Sequence, residues 1–416
     1  MKFNELALLE PLQRVVREEG YLVPTPIQAQ SIPFLLQGRD LLGCAQTGTG
    51  KTAAFILPIL QHLSLKKRVM SQNTPRALIL APTRELAAQI GQSIRTYGKY
   101  LHLSSTVIFG GVPQHPQVIA LRRGVDIVVA TPGRLLDLLN QGHVRLNGVE
   151  IFVLDEADRM LDMGFIRDIK KIIAGLPSPR QSLFFSATLE PQVIALARTL
   201  VHNPVHITIA PEKPTVESIE QKVYFVDRDA KDALLIKLLQ NPAVTRAIVF
   251  IQMKHVANKV AAMLRQAGVR ADAIHGNKSQ GARTAALETF RRGKVRVLVA
   301  TDIAARGIDI DGITHIINYE LPNTPETYVH RIGRTARAGA AGEAISFCSA
   351  PERDYLRAIE KLINKPIMIV REHLYHSERA MHASGQAARP LPRGGRSGDK
   401  RGAFSGRKEH FQRRKN

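Results

Sequence analysis

Residues 40 to 57 read Asp40-Leu41-Leu42-Gly43-Cys44-Ala45-Gln46-Thr47-Gly48-Thr49-Gly50-Lys51-Thr52-Ala53-Ala54-Phe55-Ile56-Leu57, an apolar strand, a glycine-rich turn and the start of a helix in direct succession. Glycines at 48 and 50 let backbone N–H groups wrap around phosphate oxygens. Lys51 supplies positive charge for the β and γ phosphates, the Thr52 hydroxyl reaches magnesium, and the helix N-terminus adds a favourable dipole. The general phosphate-loop pattern has glycine where Ala45 stands, so the loop is a variant of it. A chance glycine-rich turn is the competing reading of this stretch alone.

Working outward, a second strand, Ile151-Phe152-Val153-Leu154, ends in Asp155-Glu156-Ala157-Asp158. Carboxylates at the carboxyl end of a buried strand are where an ATPase holds Mg²⁺ and orients water, which assigns Asp155 to the metal and Glu156 to the water. A helix N-cap with a charged first turn accounts for Asp158 but not for all three acids. Further strand-like runs, Leu78-Ile79-Leu80, Asp126–Ala130 and Ser182–Phe185, alternate with helical patterns, as in a buried parallel sheet. The rhythm repeats in Ala247–Phe250, Val295–Val299 and His315–Asn318, which predicts a second βαβ-type domain.

The whole chain has 416 residues, 44% of them hydrophobic, enough for two buried cores. A formal net charge of +22 points to a polyanionic partner, either nucleic acid or an anionic membrane surface. Met1-Lys2-Phe3-Asn4-Glu5 lacks a signal-peptide layout and no apolar run is long enough to span a membrane, so a soluble cytoplasmic protein with no membrane partner is expected. Cys44 and Cys348, the two cysteines, sit in apolar segments and read as small buried hydrophobes in a reducing compartment.

Pro211 and Pro214 mark an interdomain linker over residues 209–218, between a first domain at 1–208 and a second at 219–370. Residues 371–416 are expected to form a basic Gly/Arg-rich disordered tail, its composition turning fully after about residue 385. Arginines and lysines interleaved with Phe404 and Phe411 suit either a solubilising extension or sequence-tolerant RNA contact.

With the phosphate loop in place, the DEAD wording of residues 155–158 gives the chain a resemblance to the DEAD-box RNA helicases. Other runs fit the family in order: Gly20–Gln28 as the Q motif (within residues 1–29), Pro82–Ala87, Gly110-Gly111, Thr131–Arg134, Ser186-Ala187-Thr188, His275-Gly276 with Gln280 and Arg283, Ala300–Asp309, and His330–Arg337. The resemblance covers nearly all of residues 1–370. The wording of His275–Arg283 and Asp158–Phe165 is similar to the bacterial RhlE subgroup.

What the resemblance implies is an α/β fold of two tandem RecA-like domains, parallel sheets flanked by helices, plus the disordered basic tail. It further implies an RNA-dependent ATPase that uses ATP and Mg²⁺ for local, non-processive unwinding or remodelling of RNA. The nucleotide would be held by Phe3, Thr25, Gln28, the loop from Ala45 through Gln46, Thr47, Gly48, Thr49, Gly50, Lys51 and Thr52, and by Asp309 on the ribose. A Gln side chain can pair with adenine N6 and N7, which suits Gln28. Thr52 and Asp155 would hold the metal. Glu156 and Lys51, with Arg334 and Arg337 as arginine fingers, would be catalytic. RNA would lie on Arg84, Gly111, Thr131, Arg134, Gly276, Arg283 and Thr301 through largely sequence-blind backbone contacts. Ser186 and Thr188 would couple hydrolysis to RNA, although Ser186 also reads as a strand-end hydroxyl satisfying a loop. The family usually has glycine where Ala336 stands. Ribosomal precursors or an RNA-decay complex are the settings implied. An RNA-clamping scaffold with weak ATPase is the alternative.

Overall fold

The structure is a computed structural model that describes residues 2–46, 48–66, 71–209, 219–305, 310, 312–336 and 342–388. Seven strands form a first parallel sheet: β1 (Leu41–Cys44), β2 (Ala77–Leu80), β3 (Ser105–Ile108), β4 (Ile127–Ala130), β5 (Ile151–Leu154), β6 (Gln181–Ser186) and β7 (Val205–Thr208), in the order β3-β4-β2-β5-β6-β1-β7. A second parallel sheet contains β8 (Ile219–Phe225), β9 (Ala247–Phe250), β10 (Ala271–Ile274), β11 (Val297–Ala300), β12 (His315–Asn318), β13 (Gly342–Cys348) and β14 (Met368–Val370), in the order β10-β11-β9-β12-β13-β8-β14. The two orders are the same permutation. The chain therefore carries one architecture twice, as expected of tandem RecA-like domains.

Most interior strands are almost wholly apolar because both faces of each sheet are covered by helices, although β12 carries His315 and Asn318 and β6 carries Gln181, Ser182 and Ser186. In β5, Ile151 and Val153 enter one core while Phe152 and Leu154 enter the core on the opposite face. Likewise Ile248 and Phe250 of β9 face one core of the second domain, and Ala247 and Val249 the other. Each fully buried Phe or Leu contributes roughly 1.5–3 kcal/mol, so these layers fix the strand register. The strand expected at Val295–Val299 runs over Val297–Ala300, and just before it the Arg296 guanidinium donates to the carbonyls of Leu239 and Val244.

One expectation is corrected. Residues 371–388, assigned to the disordered tail, fold onto the second domain. His376 bridges Val226, the Ser377 N–H donates to the Phe225 carbonyl, and Ala380 and Ala388 are fully buried. The tail beyond Ala388, and residues 210–218 of the expected linker, lie outside the described residues. Among the described residues no helix is long and apolar enough to cross a membrane.

Candidate nucleotide and RNA site

In a parallel sheet the loops that follow the strands gather at one edge, and the strand order divides that edge in two. Strands β5, β6 and β1 are neighbours, so the acidic run, Ser186-Ala187-Thr188 and the phosphate loop come together. Strands β3, β4 and β2 are neighbours on the other side, which gathers Gly110-Gly111, Thr131–Arg134 and Pro82–Ala87.

On the nucleotide side, the Ala45 N–H donates to the Ser186 carbonyl at 3.0 Å, and the Thr49 hydroxyl closes the turn onto the Gln46 carbonyl at 2.8 Å. Gly50 is left-handed (φ +92°) and caps the helix α1 (Lys51–Leu65); a Cβ there would stand 2.5 Å from Gln28 Nε2. Gln28 itself is buried. Its Oε1 accepts from the Thr25 N–H at 2.9 Å and its Nε2 donates to the Gly50 carbonyl at 3.1 Å. Each half of the amide keeps one further valence, which leaves a donor and an acceptor for a purine edge. The cleft beside these groups, about 730 Å³, is lined by Phe3, Tyr21, Thr25, Gln28, Gly48, Gly50, Lys51, Thr52, Asp155 and Glu156.

The Lys51 ammonium reaches the Ala45 carbonyl at 2.5 Å. Burial pushes the Asp155 carboxyl up to about 7, against the pull of Lys51 and with a push from Glu156. Asp155 Oδ1 is buried without a hydrogen-bond partner. A desolvated carboxylate with an orphaned oxygen, in the cleft that Thr52 also lines, fits a hard divalent cation that also binds substrate phosphates. Glu156 has a left-handed backbone (φ 55°) and is bonded to the Arg159 guanidinium. Such positions are retained where a side chain must be aimed. Asp158 is not the helix cap, a position Glu156 takes; its Oδ2 accepts from the Ala187 N–H at 3.1 Å, tying the acidic run to Ser186-Ala187-Thr188. In that run the Thr188 N–H reaches Ser186 Oγ at 3.4 Å, and Thr188 Oγ1 is buried without a partner.

On the other half of the edge, Arg84 begins the helix α2 (Arg84–Tyr97). Gly111 is left-handed (φ +74°) and packs against Arg84, with a Cβ there falling 2.0 Å from Nη1. Thr131 precedes the helix Pro132–Asn140, and Arg134 donates to the Val112 carbonyl at 3.3 Å. Burial lowers the Arg84 pKa, and the positive charges of Arg283 and Arg134 lower it further. Three arginines from two domains thus share one field, partly offset by the Glu85 carboxylate, which raises the Arg84 pKa and pairs with Arg283. In the second domain Gly276 and Thr301 follow β10 and β11, adjacent strands. Burial lowers the His275 pKa, and the positive charges of Lys278, Lys254 and Arg283 lower it further.

The two halves meet at Glu85, to which sequence reading gave no role. Its carboxylate takes the Arg283 guanidinium at 2.8 Å and the Gln280 amide at 3.1 Å, both from the second-domain helix α3 (Gln280–Arg291). The signal was its place beside Arg84 in Pro82–Ala87. Arg331 was also passed over; it is buried and holds Asp302 bidentately at 2.6 and 2.8 Å, and so fixes the run after β11. Arg334 is buried just beyond the helix Pro325–Ile332. Thr47, Asp309 and Arg337 lie outside the described residues.

Two family profiles match the chain: DEAD/DEAH box helicase over residues 25–196, and helicase conserved C-terminal domain over residues 230–339. The chain is 44% identical over 367 residues to ATP-dependent RNA helicase SrmB of Escherichia coli, covering 88% of this chain and 82% of that one. It is 43% identical to ATP-dependent RNA helicase CshA of Listeria monocytogenes, covering 88% of this chain and 69% of that one. To ATP-dependent RNA helicase DBP2 of Candida albicans it is 44% identical, covering 83% of this chain but 62% of the longer relative. Among solved structures, S. cerevisiae Dbp5 bound to RNA and ADP BeF3 is similar at 32% identity, with 89% of this chain and 95% of that chain covered and a TM-score of 0.78. A Dbp5 variant bound to Nup159, Gle1, IP6 and ADP, at 30% identity over 88% and 95% of the two chains, gives 0.59.

Proposed function

The chain belongs to the DEAD-box ATP-dependent RNA helicases, and from that premise we propose which of its own residues perform the reaction. It is an RNA-dependent ATPase that uses ATP with Mg²⁺ and acts on RNA. In our reading Lys51 and the backbone from Ala45 to Thr52 hold the phosphates, while Phe3, Thr25 and Gln28 hold the adenine and Asp309 the ribose. Thr52 and Asp155 would hold the magnesium, which when bound neutralises charge on the transferring phosphoryl group. Glu156 orients the attacking water, and Arg334 and Arg337 stabilise the same charge from the second domain. Arg84, Gly111, Thr131, Arg134, Gly276, Arg283 and Thr301 hold one RNA strand by its backbone, and Ser186 with Thr188 relays between the two sites.

The observation that carries this reading is the link from Glu85 to Arg283 and Gln280. It places an interdomain contact one residue from Arg84 and on the wall of the nucleotide cleft. ATP and RNA each favour the closed pair of domains. Binding energy then bends the bound strand and frees a short complementary one, and hydrolysis resets the clamp. Unwinding is therefore local and non-processive.

We further propose domain limits at residues 208 and 219, membership of the RhlE subgroup on the wording of His275–Arg283, and a cytoplasmic setting on ribosomal precursors or in an RNA-decay complex. The test is steady-state ATP hydrolysis without nucleic acid, with single-stranded RNA and with matched DNA, with Glu156→Gln in parallel and GTP as the base control. Stimulation by RNA alone, preference for ATP and loss in Glu156→Gln are expected. Turnover indifferent to RNA, or retained by the variant, would sink the mechanism.

A further inference from the structure

The base end of the cleft contains an aromatic cluster that the motifs do not explain. Tyr97, the last residue of α2, is buried, and its hydroxyl lies 3.3 Å from that of Tyr21, with ring centroids 6.3 Å apart. Tyr21 is stacked on Phe3 at 6.2 Å with an interplanar angle of 27°. Phe3, Tyr21 and Tyr97 all line the cleft that holds Gln28 and Lys51. Tyr21 is 39% exposed, and its hydroxyl has the Tyr97 hydroxyl as a hydrogen-bond partner. Burial and the Tyr21 phenol both raise the Tyr97 pKa, so the Tyr97 hydroxyl keeps its proton at physiological pH.

We infer that Tyr97 is a positioning residue for nucleotide binding: through its hydroxyl it holds Tyr21, and through Tyr21 the Phe3 ring, in the orientation that receives the base. Tyr97 touches no reacting atom. Its helix begins with Arg84 and Glu85 and spans 14 residues, roughly 20 Å, so one rigid element carries the RNA and interdomain contacts at one end and the support of the base at the other. The inference rests on the reading that Phe3 and Gln28 hold adenine.

Steady-state kinetics at saturating RNA, with ATP and with GTP, test it in Tyr97→Phe, Tyr21→Phe, the double variant and Phe3→Leu. Losing one partly exposed hydrogen bond should raise the KM for ATP about three-fold with kcat unchanged, and should narrow the preference for ATP over GTP. Because the two hydroxyls act as one unit, the double variant should be no worse than either single. A wild-type KM in Tyr97→Phe, even with a lowered melting temperature, would reduce the hydroxyl to a stabilising role and overturn the inference. Singles whose effects multiply would overturn it too. Phe3→Leu separates the two levels: if its KM is unchanged the adenine reading itself fails, whereas a raised KM there beside a normal Tyr97→Phe sinks only the positioning role.

Discussion

Glu85 and Arg283 form a buried ion pair, 2.8 Å long, between the first and second domains. Neither side chain is more than 8% exposed, so the pair is desolvated only because the domains are together. Glu85→Gln keeps the shape and an acceptor for Gln280 but leaves Arg283 buried without its counter-charge. Breaking a buried pair costs about 3–5 kcal/mol, and here the domains can relieve part of that by separating. RNA-stimulated kcat/KM should fall by on the order of 2 kcal/mol, about 30-fold. Binding of a fluorescent ATP analogue without RNA should be unchanged, and an equal loss there would place Glu85 in the nucleotide site instead.

Gly111 faces Arg84 with no room for a methyl group, and its φ of +74° disfavours any L side chain. Gly111→Ala must therefore displace the Arg84 guanidinium or shift the loop. RNA Kd should weaken, and a plot of log Kd against log salt should lose about one unit of slope if one phosphate contact is gone. ATP binding without RNA should not change. A weaker Kd with an unaltered slope would mean that Arg84 does not meet a phosphate.

Much of this was legible because chemistry and register coincide in short runs. Ile151–Leu154 is a strand by its continuous apolar character, and the acids that end it line the cleft beside the phosphate loop. Ser105–Ile108 and Ala271–Ile274 escaped notice because each is flanked by neighbours only on one side or mixes Ala and Asp into the strand, which blunts the apolar signal. The docked segment after Val370 was missed for a related reason: it is held by Ala380, Ala388 and the Ser377 backbone, which register weakly in composition. Glu85 could be read as part of a motif, but its partners lie in the other domain, and no local pattern names them.

Ala336 has a φ of 54°, the left-handed region, at the position where the family usually has glycine. An alanine there bears about 1–2 kcal/mol of strain, partly offset by the greater freedom glycine gives the unfolded chain. Ala336→Gly should stabilise the second domain by somewhat under ~1 kcal/mol in urea titration and leave ATP turnover at or above wild type. Ala336→Val, β-branched and worse suited to this φ, should destabilise it. A destabilised glycine variant would mean that the methyl group's packing in the second-domain core outweighs the strain.

Asp155 combines stability and function with opposite signs. Its pKa in the folded protein, about 7, stands above the ordinary carboxyl value because burial disfavours the charge. A raised carboxyl stabilises the fold at low pH, and that contribution is lost as pH rises through about 7. Asp155→Asn removes the charge at every pH. Without Mg²⁺ and ATP, the variant should therefore be more stable than wild type at pH 8, by on the order of 4 kcal/mol, and the advantage should shrink by more than half at pH 5 and vanish only below about pH 4. Adding Mg²⁺ with ATP should raise the melting temperature of the wild type and not of the variant, whose hydrolysis should be abolished. Thermal unfolding at the two pH values decides it: a variant no more stable at pH 8 would mean that Lys51 already compensates the buried carboxylate in the free protein.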